Sequence, residues 1–261
     1  MTPSLRCCAG TLLPLLLTTG CAIPQLDVTP RYGQLSLEGS FGADAGDVTA
    51  TASLEDAGLD DDEGIPGLRA DLKFGSPHLV LSAGRASWSG TGTVDATLNA
   101  GGMTIPAGAT VDSDLDLDLY SGLLLWDVFP GKTVEVAIGF GATVFDFDLA
   151  MADQGSGMEI SSAETLPVPV LAANVGVQLG GIELAALVSG FSLSLDDNEG
   201  RFVDADVFAR WHVLGGKNHV RSSLILGWRQ VDLDVEYEDG GDAFEAEVTL
   251  SGPYLGLEIT L

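Results

Sequence analysis

The sequence predicts an all-β chain that closes into an antiparallel up-and-down transmembrane β-barrel of about ten strands, with eight as the alternative. Three observations carry this. Apolar and polar residues alternate with a period of two along nearly the whole chain. The connections between the alternating runs are short and long by turns, as in membrane barrels. Glycine supplies 34 of the 261 residues, a content that helix bundles tolerate poorly, yet it lacks the three-residue period of collagen. A hydrophobic content of 46% excludes a disordered chain. Acids outnumber bases by 38 to 11, and the net charge of -27 excludes nucleic acid as a partner, because phosphate is repelled.

Residues 1–20 open with Arg6, continue through an apolar stretch from Ala9 to Leu17 and end in small residues, the pattern of a secretory signal peptide. No run of 18 apolar residues follows, so no transmembrane helix is expected. The segment Leu17-Thr18-Thr19-Gly20-Cys21 resembles a bacterial lipoprotein cleavage site, which implies lipidation of Cys21. Ordinary cleavage after Ala22, with Gly20 and Ala22 as the small pair, is the alternative. Cys7 and Cys8 leave with the signal, so no intramolecular disulfide is available. Residues 21–33 read as an N-terminal periplasmic segment and 34–261 as the barrel.

Ten alternating runs then follow, at 34–42, 67–76, 78–93, 111–126, 132–150, 164–180, 181–197, 200–214, 217–236 and 242–261. Tight connections close every second pair: Ser76-Pro77-His78, Asp127 to Gly131, Gly180-Gly181 and Gly215-Gly216-Lys217. Longer segments at 43–66, 94–110 and 151–163, with shorter ones at Asp197-Asn198-Glu199 and Glu238 to Gly241, join the others. Within the runs, Val134, Val136, Ile138, Phe140, Ala142 and Val144 share one face, against Glu135, Ala137, Gly139, Gly141 and Thr143 on the other. The final run sets Pro253, Leu255, Leu257, Ile259 and Leu261 against Tyr254, Gly256, Glu258 and Thr260.

This final apolar face resembles the assembly signal of bacterial outer-membrane barrels, and the pattern over residues 32–261 is similar to small outer-membrane β-barrel proteins of Gram-negative bacteria. The resemblance implies a place in the outer membrane with both barrel termini periplasmic. It also implies the barrel assembly machinery, outer-membrane lipid and lipopolysaccharide as partners.

Four strands change the parity of their apolar set partway along. The set passes from Val144 to Phe145, Phe147 and Leu149; from Val188 to Phe191, Leu193 and Leu195; from Trp228 to Val231, Leu233 and Val235; and from Leu250 to Pro253 and Leu255. A strand crosses the bilayer with about 9–11 residues, so the excess stands in water, where a barrel inverts to polar outside and apolar inside. Inversion gives an apolar upper lumen of Phe145, Phe147, Phe191, Leu193, Leu233, Val235 and Leu250, and an outer skirt of acids that includes Asp116, Asp118, Asp146, Asp148, Asp232 and Asp234. A set of β-bulges is the alternative.

On the small polar face, Arg69, Asp71, Lys73, Glu135, Glu183, Asp206, Arg210, Arg221, Arg229 and Glu258 read as a lumen charge network. Charges inside a narrow barrel must pair. They form either a salt-bridged plug or a charged filter.

His78, His212 and His219 all fall near the short turns, and no Gly-x-Ser-x-Gly elbow occurs, so no enzyme activity is expected. Neither a Cys/His cluster nor a glycine-rich phosphate loop is present, so no cofactor or metal is expected. The loops Asp60-Asp61-Asp62-Glu63-Gly64 and Asp196-Asp197-Asn198-Glu199-Gly200 have residue types suited to weak divalent cations without the EF-hand spacing. The expected function is an outer-membrane barrel with a structural or surface-binding role. A narrow channel or transporter for small or hydrophobic molecules, and a lipid-anchored soluble barrel binding a hydrophobic ligand, are the alternatives.

Overall fold

The computed structural model describes residues 24–45, 48–59, 62–95, 97–100, 103–195, 198–215, 221–239 and 242–261. Cys21, His219 and the loop acids Asp60, Asp61, Asp196 and Asp197 lie outside the described residues, and Leu193 and Asn198 lie outside the described side chains.

Thirteen strands form: β1 (Gln25–Ala45), β2 (Val48–Ser53), β3 (Glu63–Lys73), β4 (Pro77–Thr93), β5 (Leu98–Ala100), β6 (Met103–Ile105), β7 (Thr110–Pro130), β8 (Val134–Asp153), β9 (Glu159–Leu179), β10 (Ile182–Leu195), β11 (Asn198–Gly215), β12 (Arg221–Asp239) and β13 (Asp242–Thr260). Ten of them make the wall in chain order, each antiparallel to the next, and β13 pairs back onto β1 to close it. Closure leaves no full-length edge strand, which a sheet crossing lipid requires. β2 folds back on the upper part of β1, and β5 with β6 makes a separate small hairpin, so the segments 43–66 and 94–110 carry strand of their own.

The first stave begins at Gln25 rather than at residue 34, so residues 25–33 belong to the wall and not to a periplasmic segment. Pro30 hid this, since a proline normally argues against a central strand. Its missing N–H is accommodated by a gap in the ladder: pairing with β13 runs through Val28, skips Thr29 and Pro30, and resumes at Arg31. The other expected strands fall on their staves to within a few residues.

Both termini of the barrel lie at the end closed by the short turns, where Leu26 and Leu261 exchange backbone hydrogen bonds. The two-residue hairpin there, Gly180-Gly181, needs the left-handed conformation that Gly180 adopts at φ 65°.

From the belt up to the loop end each stave keeps one side-chain parity. Leu224, Leu226 and Trp228 of β12 point out, as do Leu255, Leu257 and Ile259 of β13 and Ile138 and Phe140 of β8, all well exposed. Pro253 to Leu261 spans about 20 Å of barrel height at ~3.3 Å per residue and a tilt of ~40°. That is close to the apolar band of a membrane barrel. Aromatic residues mark both edges of the belt, Tyr32, Tyr120 and Trp228 toward the loops and Trp126, Phe129 and Trp211 toward the turns, where such girdles meet the headgroups.

Above the belt the same outward parity carries Asp146 and Asp148 on β8 and Asp232 and Asp234 on β12, while Phe145, Val231 and Leu250 are buried inside. The β7–β8 and β11–β12 ladders shift register only at Asp127/Phe129 and at His212/Leu214, both at the turn end, and the β12–β13 ladder shows no shift. The parity changes therefore invert the chemistry of the wall without a bulge at the switch.

Phe145, Val231 and Leu250 join Trp88, Phe202, Leu37 and Leu119 in one apolar cluster, with Phe191 and Leu233 packed against it. Phe147 and Val235 share the inward parity and are half-buried. Loops complete the cluster from above: Leu54, Ala57 and Leu59 of the segment after β2, with Val94 and Ile105, are fully or almost fully buried. The 56–58 turn reaches inward because β4 offers Gly90 and Gly92 beneath it; a Cβ on either would collide with a carbonyl oxygen, of Gly58 and Asp56 respectively.

Cysteines placed at Asp146, Asp148, Asp232 or Asp234 should react with an impermeant thiol reagent on intact cells, while cysteines at Phe145 and Leu250 should stay unmodified. The opposite pattern would mean that the upper staves are turned over.

Candidate functional site

Below the apolar cluster the barrel interior is ionic. Outward positions of the belt are taken by apolar residues, so the charged side chains at this height turn inward and must find one another. Four arginines do so in a small volume. Arg69 grips Asp71 two residues along β3 through paired bonds, Nε to Oδ2 at 2.8 Å and Nη2 to Oδ1 at 3.0 Å. Arg229 grips Asp204 on the neighbouring stave in the same way, at 3.0 and 2.8 Å. Arg210 donates to Glu183 at 2.9 Å and lies 2.9 Å from Glu258. Such forked pairing is what arginine offers and lysine does not.

Asp206 stands at the centre. It accepts from Arg31 Nη1 at 3.2 Å and from the Tyr254 hydroxyl at 2.6 Å, and Arg69 Nη1 lies 3.7 Å away. Phe208 lies between two guanidinium groups, with Arg69 and Arg210 each 5.4 Å from its ring centre, and Arg31 stacks on Tyr254 at 5.5 Å. Together these side chains fill the cross-section. Between them lies a void of about 20 Å³ bordered by Arg31, Arg69, Asp204, Asp206 and Arg229, room for roughly one water molecule.

Of the ten charges expected in the lumen, Arg69, Asp71, Glu183, Asp206, Arg210, Arg229 and Glu258 come together here. Lys73 and Glu135 form a separate pair at 3.2 Å near the turn-end mouth. Arg221 does not join them. It is the first residue of β12, opposite Thr260 on the last rung, where it is exposed and makes no ion pair with a described residue.

Arg31 and Asp204 were absent from the sequence expectation. Arg31 was hidden by the misplaced start of β1, although it shares the inward parity of Asp27 and Thr29. Asp204 precedes Asp206 by two residues on β11, which places both on one face.

The outer rim is acidic. Asp118 faces Asp146 and Asp116 faces Asp148 directly across the β7–β8 ladder, an arrangement that like charges disfavour. Among the described residues the cation that pairs with them is Arg85, 3.6 Å from both Asp116 and Asp118. Higher up, Asp112 accepts from Thr91 Oγ1 at 2.6 Å and from Gln154 at 2.9 Å, and these bonds hold its carboxyl below the usual range. The Ser156 hydroxyl and the Gly155 N–H do the same for Asp153, which caps the turn after β8.

No family model matches the sequence, nor does any curated protein. Among solved structures the fold matches the outer membrane protease OmpT of Escherichia coli with a TM-score of 0.56 at 9% identity, over 91% of this chain and 97% of that one. Weaker likenesses include Ail, the attachment invasion locus protein of Yersinia pestis, with a TM-score of 0.36 at 10% identity over 91% and 99% of the two chains. A major outer membrane protein of Thermus thermophilus also scores 0.36, at 12% identity over 92% and 100%. The likeness to the protease extends to the closed barrel and no further, since identity at this level establishes only the fold.

Proposed function

We propose that this chain is an outer-membrane barrel closed to solutes, anchored by its apolar belt and acting through the acidic wall and loops above it. The observation that carries the reading is the double filling of the interior, with interlocked ion pairs below and an apolar core above. The turn end with the two termini then faces the periplasm, and β13, with Leu261 just beyond it, is the element offered to the barrel assembly machinery. The acidic rim suits a surface or lipopolysaccharide partner reached through divalent cations rather than by direct contact.

Among the described residues, catalysis at the outer rim finds no histidine. The chain has three. His78 and His212 lie at the turn end, and the Ser223 hydroxyl that pairs with His212 at 3.1 Å is buried. A soluble ligand-binding barrel is disfavoured by the belt, whose leucines and tryptophans would stand bare in water.

Two measurements test the reading. The protein should stay in the membrane pellet through carbonate or urea washing, and the purified protein should leave a planar bilayer with near-zero conductance. Recovery as a soluble monomer would exclude the anchoring. A steady ion-selective current would turn the arginines from a plug into a filter.

A further inference from the structure

At the turn-end mouth of the lumen, three side chains from adjacent staves converge outside the central ion-pair cluster. They are His78 at the start of β4, Asp127 near the end of β7 and Glu135 at the start of β8. One ligand atom from each lies within 4.8 Å of the others. The register shift at Asp127/Phe129 lies beside them, the kind of local irregularity that re-aims a side chain. We propose that these three residues form a binding site for a divalent transition ion of the zinc class.

The buried Oδ1 atom of Asp127 is the second observation. His78 Nε2 is 3.1 Å from each of its two carboxylate oxygens, and a single N–H can be directed at only one of them. Oδ1 is left buried with no directed hydrogen bond, a state that costs free energy and that a cation would relieve. One imidazole nitrogen with two carboxylate oxygens is a donor set that zinc accepts, with water completing the sphere. A calcium ion, which takes six to eight oxygens, is poorly served by it.

Around a tetrahedral ion with bonds of about 2.0–2.1 Å, donors stand roughly 3.3 Å apart. His78 and Asp127 already meet that spacing. Only Glu135 must move inward, and its side chain, like that of Lys73, is about a third exposed and free to swing.

Lys73 is the competitor. Its ammonium holds Glu135 at 3.2 Å, so an arriving divalent ion displaces it toward water, and lysine and metal alternate at the Glu135 carboxylate. The mouth itself is the access route. The bound ion would tie β4, β7 and β8 together at the last rungs of their ladders.

The test is titration of the full-length detergent-solubilised protein with Zn2+ by calorimetry and with Co2+ by visible absorption, beside His78→Ala, Glu135→Gln and Lys73→Met. Glu135→Gln alters a side chain that is about a third exposed and is not expected to disturb folding. One Zn2+ should bind per chain, with Co2+ developing ligand-field bands. Affinity should fall by about tenfold or more in His78→Ala and Glu135→Gln, at least the loss seen when groups that only support a ligand are removed. Lys73→Met should bind more tightly than the parent. Zinc binding that survives both ligand substitutions, or that Ca2+ displaces equally well, would locate the metal on the acidic rim and overturn the assignment. So would the absence of binding to the parent at millimolar Zn2+.

Discussion

Asp206→Ala should lower the unfolding free energy of the barrel by about 3–5 kcal/mol, as expected when one partner of a buried ion pair is removed. The carboxylate is almost fully buried and is the common partner of Arg31, Arg69 and the Tyr254 hydroxyl. Its loss leaves Arg31 with no other carboxylate among the ion pairs of the described residues, and it takes away the second carboxylate of Arg69, which keeps Asp71. Urea unfolding of refolded protein in detergent micelles measures the loss, and heat-modifiable gel migration provides an independent readout. Arg221→Ala is the matched control, because that arginine stands exposed on the last rung and its truncation should change stability by less than about 0.5 kcal/mol. If the two variants are equally stable, the interior charges are solvated and the plug is not a plug.

Phe202→Ala tests the other half of the lumen and should cost about 3–5 kcal/mol, the range for deleting a large aromatic side chain from a packed core. Phe202 is 1% exposed and meets Phe145 edge to face with ring centres 5.2 Å apart. Neighbouring residues belong to staves pinned by ladder bonds on both sides, so the gap cannot collapse and a dry cavity should persist. Such a cavity would take up benzene or a similar small apolar probe, which the parent should refuse. A loss below about 1 kcal/mol would indicate that the upper lumen is already loose, a property of a ligand pocket and not of a core. The transport reading would then regain ground.

Much of this was readable in the residues because lipid constrains one face of every stave absolutely. The belts of β8 and β13 and the switch from Trp228 to Asp232 on β12 are visible as parity alone. The first half of β1 was not legible, since Pro30 interrupts the pattern and a single short run cannot show that Leu26 and Val28 face lipid while Asp27 and Arg31 face the lumen. Pairing inside the lumen was equally hidden. Parity placed Arg229 inward but said nothing of which acid it would grip, because that depends on the register between β11 and β12. Arg221 has the right parity and the wrong height, a distinction that alternation does not encode. His78, Asp127 and Glu135 are brought together only by the order of β4, β7 and β8 around the wall.

The seam between β1 and β13 has a consequence for how the molecule comes into being. Leu26 hydrogen-bonds with Leu261, so the first stave waits for nearly the entire chain before its partner exists. Neighbouring staves can zip locally by hairpins, but this last pairing closes a loop of more than two hundred residues, the slow and entropically expensive kind of contact. Until then the growing sheet carries two bare edges, open to a neighbouring molecule as readily as to each other. A chain lacking β13 keeps those edges, since every rung of the seam lies on that strand. Closure of the whole seam is therefore the step that ends the exposure of those backbone groups, and a chain without its last stave would be marked by its unclosed sheet before any fault in its lumen could matter.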